Sequence, residues 1–221
     1  MDTRAIMAKV DHTLLSQSAT WPDIQKTLAE AISFGAASAC IPPCFVRRAK
    51  EYARNRLPIC TVIGFPNGYS TTAAKVCEAA DALANGADEL DMVINIAKVK
   101  EDDYACVTQE ISRIKKEAQQ KIVKVIIETC LLTDAEKRHM CVAVHDAGAD
   151  FIKTSTGFST SGATFDDIAL FRSLLPDGFG IKAAGGIQTL ADAERFLSLG
   201  ATRLGTSRIV KLLQHMETDG Y

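Results

Sequence analysis

The sequence predicts an α/β fold in which residues 1–221 form a single domain, a (β/α)8 barrel of the TIM type. Three observations support it: eight short apolar segments, helix signals in the gaps between them, and a repeat of roughly 26 to 31 residues per strand and helix. An open doubly wound sheet is the competing architecture. The absence of a GxGxxG turn from the sequence and the count of eight units favour the closed barrel.

The strand candidates are short, and several are apolar on both faces, as expected of a parallel sheet covered by helices. In chain order they are residues 6–10, 37–41, 59–63, 89–94, 123–128, 150–154, 180–183 and 202–205.

Helix ends and helix starts are marked between these segments. A glycine that can close a helix precedes four of the strands, at Gly35, Gly86, Gly148 and Gly200. Hydroxyl caps followed three residues later by an acid predict four helix starts, at Thr20-x-x-Asp23, Thr133-x-x-Glu136, Thr164-x-x-Asp167 and Thr189-x-x-Asp192. Apolar residues at steps of three and four between positions 101 and 120 predict an amphipathic outer helix.

The composition excludes several classes of function. A net charge of -2 and a pI near 6.1 give no electrostatic reason to bind nucleic acid or an anionic membrane. The seven cysteines lack the paired CxxC spacing of a zinc site, which predicts reduced thiols and no bound metal. No segment has the apolar length of a signal peptide core or a membrane span, so we expect a cytoplasmic protein.

Three ionisable residues interrupt apolar strands of the predicted barrel: Asp91, Lys153 and Lys182. One reading is a structural ion pair, because buried pairs are common and say little about function. Two lysines on adjacent strands favour a second reading. Neighbouring ammonium groups repel, and burial adds to this, so one amine loses its proton at a lower pH than a free lysine. A neutral amine can form a Schiff base with a carbonyl substrate.

Three glycine-rich segments follow the last three strands: Ser155-Thr156-Gly157, Gly185-Gly186 and Gly205-Thr206-Ser207. Glycine permits close backbone approach to an anion, and the loops after strands seven and eight are the usual phosphate site of such barrels. Each segment alone is as readily a turn. Together they predict a sugar phosphate that carries a carbonyl group.

Six motifs resemble, in order, those of the bacterial deoxyribose-phosphate aldolases, over nearly the whole chain. They are Asp11-His12-Thr13-Leu14-Leu15, the segments 61–66 (TVIGFP), 89–95 (ELDMVIN), 127–133 (IETCLLT) and 151–158 (FIKTSTGF), and Lys182-Ala183-Ala184-Gly185-Gly186-Ile187. The resemblance implies a homodimer that reversibly cleaves 2-deoxy-D-ribose 5-phosphate to D-glyceraldehyde 3-phosphate and acetaldehyde, without metal or organic cofactor.

The resemblance also implies roles for individual residues. Lys153 would be the Schiff-base lysine, Lys182 the neighbour that depresses its pKa, and Asp91 the partner in proton transfer. The substrate pocket would include Asp11, Cys40 and Thr156, and the phosphate contacts would come from Gly157, Gly185, Gly186, Gly205 and Ser207. Cys40 is also compatible with a plain buried thiol.

This sequence departs from the family pattern at two places. Ile41-Pro42-Pro43 follows Cys40 where Val-Asn-Pro is usual, and Arg208 stands where a second serine often follows Ser207. Arg208 either strengthens phosphate binding or points outward. The terminal Tyr221 either reaches the active site, as in some relatives, or belongs to a disordered tail.

Two alternatives from other classes stay open at this point. A barrel that binds sugar phosphates without chemistry would keep the glycine loops but would have no use for paired lysines. Another phosphate-site enzyme, such as an isomerase or a different Schiff-base aldolase, would differ in its products.

Overall fold

A computed structural model describes residues 2–218. Eight parallel strands follow one another in chain order around a closed barrel, and the last strand pairs with the first. The predicted (β/α)8 fold is therefore confirmed. The strands are β1 (Val10–Thr13), β2 (Ser38–Ile41), β3 (Ile59–Ile63), β4 (Glu89–Val93), β5 (Ile122–Ile126), β6 (Phe151–Lys153), β7 (Gly180–Ala184) and β8 (Arg203–Thr206).

Helices separate the strands and cover the barrel. They are α1 (Thr3–Met7), α2 (Trp21–Ser33), α3 (Val46–Ala53), α4 (Thr72–Ala84), α5 (Ile96–Lys100), α6 (Tyr104–Ala118), α7 (Asp134–Asp146), α8 (Phe165–Leu174), α9 (Leu190–Ser198) and α10 (Arg208–Thr218). All four predicted caps begin a helix, at Thr20, Thr133, Thr164 and Thr189. Within residues 2–218 every helix is too short or too polar to span a bilayer.

The predicted first strand, residues 6–10, is wrong. Ile6 and Met7 belong to α1, and the side chain of Asp2 caps the first turn of this helix. The side chains of Ile6 and Met7 are buried, but they belong to a helix and not to a strand. The strand begins at Val10 and continues through Asp11 and His12. Its polar residues are buried because they have partners inside the barrel, which an apolar pattern does not detect.

The amphipathic helix predicted between positions 101 and 120 is α6. Its buried side includes Val107, Ile111 and Ile114, and the helix packs against α4 and α7. Glu110 is buried on the same side, where it accepts a hydrogen bond from the buried Lys75 of α4 at 2.8 Å. Part of the helix layer is therefore held by a buried ion pair as well as by apolar contact.

The parallel register places charged residues from distant parts of the chain side by side. Asp91 of β4 is the partner of Lys124 in β5, and Lys153 of β6 is the partner of Lys182 in β7. Lys182 is in turn the partner of Arg203 in β8. Neighbouring strands lie about 4.8 Å apart, so these side chains can bond directly if they face inward.

The loop after β3, residues 64–68, is anchored at both ends. The amide of Gly64 donates to Glu78 at 2.6 Å, and the amide of Gly68 donates to the carbonyl of Gly64 at 2.8 Å. The loop presents Phe65, whose ring meets Phe158 edge to face with centroids 5.3 Å apart. A side chain from the loop after β3 thus packs against the loop after β6.

Gly68→Ala is expected to destabilise the protein strongly. Gly68 has a φ of +74°, and an added Cβ would lie 1.9 Å from the carbonyl oxygen of Ile94. Left-handed strain costs about 1–2 kcal/mol, and overpacking adds about 1–3 kcal/mol. The matched control is Gly178→Ala, at φ +86° with no atom within 4 Å of the added Cβ. Urea unfolding should show a clearly larger loss for Gly68→Ala, and equal losses would contradict the prediction.

Candidate active site

The three ionisable residues predicted from the strands meet inside the barrel. The ammonium groups of Lys153 and Lys182 both donate to the same oxygen of Asp91, Oδ2, at 2.7 Å each. All three side chains are buried; Lys153 is 3% exposed and the other two are fully enclosed. The two lysines therefore share one carboxylate oxygen, which brings their nitrogens together inside the barrel.

Asp11, which the resemblance placed at the substrate pocket, lies beneath this group and has no exposure. Its Oδ2 accepts from Lys182 at 2.5 Å, and its Oδ1 accepts from Arg203 at 2.6 Å and from Ser38 at 2.8 Å. Its contacts are thus with the catalytic candidates and their neighbours, so its side chain helps to fix Lys182.

Sequence reasoning missed a third buried lysine, Lys124 of β5. Its ammonium lies 2.5 Å from Glu89, 2.8 Å from Asp91 and 3.3 Å from Asp11. The signal that could have found it is the one used for the other lysines, a charge within the apolar run Val-Lys-Val-Ile-Ile. We call the interconnected charged group the buried network. Its members are Asp11, Glu89, Asp91, Lys124, Lys153, Lys182 and Arg203.

The electrostatics of the buried network follow from its low exposure. Burial by itself would raise the pKa of Asp91, but Lys124, Lys153 and Lys182 together hold that pKa well below its usual range. Burial would lower the pKa of Lys182, but Asp11 and Asp91 raise it above the ordinary lysine value. The same two carboxylates raise the pKa of Lys124. Asp91 is therefore an anion at neutral pH, and Lys124 and Lys182 are cations.

Two sets of potential metal ligands lie within the same region: Cys40, Cys60 and Asp91, and Asp11, Cys60 and Glu89. The carboxylates of both sets already accept hydrogen bonds from ammonium or guanidinium groups. Lys124 also donates to the sulfur of Cys60 at 3.3 Å. A cation entering either set would displace lysine contacts, so the donor chemistry fits internal ion pairing better than a metal.

Cys40 is fully buried beside Cys60 on the adjacent strand. A hydrogen bond with Cys60 lowers the pKa of the Cys40 thiol, whereas burial raises that of Cys60 well above its usual value. The two thiols cluster with Val62, and Leu15 and Phe65 pack against them. Since Cys60 also donates to Asp91 at 3.2 Å, this small apolar cluster adjoins the buried network.

Thr156 is held by a residue that the sequence reasoning left unmarked, Glu128. The hydroxyl and the amide of Thr156 donate to the Glu128 carboxylate at 2.5 and 3.1 Å, and the Thr156 hydroxyl oxygen accepts from the amide of Phe158 at 3.0 Å. Glu128 has a φ of +50°, unusual for a residue with a side chain. The backbone of Glu128 thus adopts a left-handed conformation, and its buried carboxylate fixes the start of the glycine-rich loop after β6.

The glycine-rich segments converge as predicted, with one exception. A cavity of about 1330 Å³ is bordered by Lys153 and Thr156 and by the predicted phosphate residues Gly157, Gly185, Gly205 and Ser207. The loops after β6 and β7 approach backbone to backbone, since a Cβ on Gly185 would lie 3.1 Å from the Cα of Gly162. Gly186 instead borders a separate small depression beside Phe165 and Arg195.

Two alternatives were left open by the sequence, for Arg208 and for Tyr221, and the structure bears on Arg208 alone. Arg208 begins α10 with an exposed side chain, and its amide donates to Thr206 at 3.0 Å. It is not among the residues that border the cavity. Tyr221 lies outside the described residues.

Comparison with known proteins decides the family. A sequence model of the DeoC/LacD family of aldolases matches residues 5–206. The chain belongs to that aldolase family. It is 56% identical over 223 aligned positions to a deoxyribose-phosphate aldolase of Streptococcus pyogenes, covering 100% of both chains. With a deoxyribose-phosphate aldolase of Streptococcus agalactiae it shares 55% identity over 99% of this chain and 98% of the relative.

A solved structure supports the same assignment. The deoxyribose phosphate aldolase of Aeropyrum pernix, described as a tetramer, superimposes with a TM-score of 0.90 at 34% identity, covering 98% of this chain and 92% of that one. The resemblance drawn from the six motifs is thereby confirmed, and this member of the DeoC/LacD family is an aldolase, a lyase.

Within this aldolase the charges of the buried network do not cancel when every group is ionised. Four cationic side chains, Lys124, Lys153, Lys182 and Arg203, face three carboxylates, Asp11, Glu89 and Asp91. One amine can therefore lose its proton without leaving an uncompensated carboxylate. A neutral lysine is compatible with the charge balance of this interior.

Lys124→Met is expected to destabilise the aldolase by about 3–5 kcal/mol, because Glu89 loses its nearest ammonium group and Asp11 and Asp91 each lose one of theirs. The control is Lys98→Met, which removes an exposed lysine paired with Glu101 on the helix surface. Thermal unfolding should show a large drop in Tm for Lys124→Met and almost none for Lys98→Met. An unchanged Tm for Lys124→Met would mean that the carboxylates find other partners.

The free energy of unfolding is expected to fall as the pH drops below about 4. The folded pKa values of Asp11 and Asp91 lie below the unfolded value near 3.9, so their stabilisation is present above that value and is lost as pH falls through the folded ones. Asp91→Asn should flatten this dependence in urea titrations at stepped pH. Asp177→Asn, at an exposed carboxylate, should retain it. Parallel curves for Asp91→Asn and the unaltered protein would contradict the assignment.

Proposed function

We propose that this chain is a class I aldolase that reversibly cleaves 2-deoxy-D-ribose 5-phosphate to D-glyceraldehyde 3-phosphate and acetaldehyde through a Schiff base on Lys153. Breakdown of deoxyribonucleosides in the cytoplasm is its proposed setting. The observation that carries the proposal is the sharing of one Asp91 oxygen by Lys153 and Lys182, at 2.7 Å each. The names of the streptococcal relatives support the substrate.

Position distinguishes Lys153 from the other buried lysines. Lys124 and Lys182 are completely enclosed, and each contacts at least two carboxylates. Lys153 contacts Asp91 alone among the carboxylates of the described residues, and it borders the large cavity. Lys153 is thus the amine that an aldehyde can reach. It is also the buried lysine of the network that loses the fewest ion pairs when its ammonium group gives up a proton.

The proposed reaction begins when the neutral amine of Lys153 adds to the aldehyde carbon of the open-chain sugar and water leaves. The resulting iminium accepts the electron pair of the C2–C3 bond as that bond breaks. The C3 hydroxyl loses its proton and becomes the aldehyde of glyceraldehyde 3-phosphate. The remaining enamine takes a proton at carbon, and water then releases acetaldehyde and the free amine.

Asp91 and Lys182 are proposed to serve the proton steps. Asp91 is an anion beside the Lys153 nitrogen, so it can accept a proton from the reacting centre, directly or through a water, and return it. Lys182 stays cationic because Asp11 and Asp91 both bind its ammonium. Its charge opposes a second positive charge on Lys153 and partly satisfies Asp91 whenever Lys153 is neutral.

The phosphate is proposed to lie at the glycine-rich side of the cavity. Gly157, Gly185, Gly205 and Ser207 border it there, next to the amino end of α10, where backbone amides favour an anion. Thr156, fixed by Glu128, stands between this region and Lys153 in the chain and also borders the cavity. An anion held there would leave the aldehyde end of the substrate free to approach the amine.

Borohydride reduction in the presence of acetaldehyde is expected to trap one acetaldehyde-derived ethyl group on the peptide that contains Lys153. The chain has two other buried network lysines, so peptide mass spectrometry must identify the residue. Lys153→Ala should abolish both trapping and turnover. Lys182→Leu, assayed well below its lowered Tm, should cut the rate sharply near neutral pH.

The control variant is Lys116→Met, at an exposed lysine of α6, which should trap and turn over normally. EDTA should leave the rate unchanged. Label on any residue other than Lys153, or turnover by Lys153→Ala, would refute the mechanism. Failure to release acetaldehyde from 2-deoxyribose 5-phosphate would refute the substrate.

The homodimer implied by the resemblance remains a prediction. Sedimentation equilibrium of the full chain is expected to give twice the 23.8 kDa chain mass. Four times that mass would instead match the assembly described for the Aeropyrum pernix relative.

A further inference from the structure

The cavity beside Lys153 contains cations whose roles differ. Among the described residues, the positively charged side chains that border it are Lys26, Lys153 and Lys211. Lys153 is bound to Asp91, and Lys26 lies 4.0 Å from Glu30 on α2. Lys211 has no ion pair or hydrogen bond to any side chain within residues 2–214. Among the side chains that the structure describes, Lys211 is therefore an unpaired cation at a cavity in which an anionic substrate is proposed to bind.

Lys211 lies close to the proposed phosphate contacts in the chain. It follows Ser207, the residue before α10, by four positions and lies one turn into that helix. Both border the cavity together with Gly205 and Gly185. The glycines offer backbone amides but no charge, whereas a phosphate monoester carries about −1.5 to −2 at neutral pH.

The acidic residues that border the cavity already have hydrogen-bond partners. Glu30 accepts from His12 at 2.9 Å and from Gln214 at 3.2 Å. Asp23 accepts from both the amide and the hydroxyl of Thr20. Neither carboxylate is within 4.0 Å of the Lys211 ammonium, so the charge of Lys211 is available to a ligand.

We propose that Lys211 binds the substrate phosphate and sets the preference for phosphorylated over unphosphorylated aldehydes. The inference rests on the proposed function and adds to it a residue outside the glycine-rich loops. Arg208 is the rival cation by sequence position, but its side chain does not border the cavity. Because Lys211 is solvent-exposed, its contribution to substrate binding is screened by salt.

The test compares cleavage of 2-deoxyribose 5-phosphate and of 2-deoxyribose by the full chain and by Lys211→Met. Loss of one charge-assisted hydrogen bond should raise the KM for the phosphorylated substrate about tenfold. The kcat for that substrate, and kcat/KM for 2-deoxyribose, should stay within about twofold. The rise of KM with added salt should be smaller in Lys211→Met than in the unaltered chain, and Lys211→Arg should restore most of the binding.

Two further variants make the result specific. Lys116→Met removes the same charge from α6 and should leave the KM for the phosphorylated substrate unchanged, and Arg208→Gln should change it less than twofold. Equal losses on both substrates, no loss in Lys211→Met, or a selective loss in Arg208→Gln would each overturn the assignment.

Competition by inorganic phosphate, read by calorimetry, separates this inference from the proposed function. A chain that binds phosphate through Lys211 but releases no acetaldehyde would refute the function and support the phosphate assignment. If the unaltered chain releases acetaldehyde but Lys211→Met binds phosphate as tightly as that chain, the proposed function is supported and the phosphate assignment is refuted.

Discussion

The carboxylate of Asp91 is the contact on which the barrel interior depends. One oxygen accepts from Lys124 at 2.8 Å, and the other accepts from Lys153 and Lys182 at 2.7 Å. Without this anion two of the lysines would keep other carboxylates, but Lys153 would lose its only one among the described residues. Because uncompensated charge in a dry interior costs several kcal/mol, about 3–5 for a broken pair, Asp91 links the stability of the barrel to the chemistry proposed for Lys153.

The closed parallel barrel brings this group together without any local sequence motif. Asp91, Lys124, Lys153 and Lys182 come from four successive strands, and each is bonded or paired to a neighbour through the register of the sheet. Helices that separate the strands put about 30 positions of chain between these residues. These four side chains therefore meet only when β4 to β7 have assembled side by side in the observed register.

The features of this protein that could be predicted are those that depend on residues close together in the sequence. Helix caps and apolar strands predicted the barrel, and the charges in strands six and seven predicted Lys153 and Lys182. Lys124 was missed although it carries the same local signal, a charge within an apolar strand. Strand one was displaced because Asp11 and His12 are buried by partners, and burial through pairing leaves no apolar signal.

Lys124, Arg203 and Glu128 were missed, and all three lie away from the cavity. The catalytic candidates could therefore be found without them. Lys124 and Arg203 bond to carboxylates of the interior, and Arg203 also lies over the ring of Phe151. Glu128 bonds to Thr156, and none of the three borders the cavity. They determine where the reacting groups stand. Lys153 lies where the buried network meets the cavity. Asp91 therefore holds its nitrogen in place, and a molecule in the cavity can reach that nitrogen. Preorganised charge of this kind can stabilise the charge that develops in a transition state without reorganisation during the reaction, which is what the proposed chemistry at Lys153 needs.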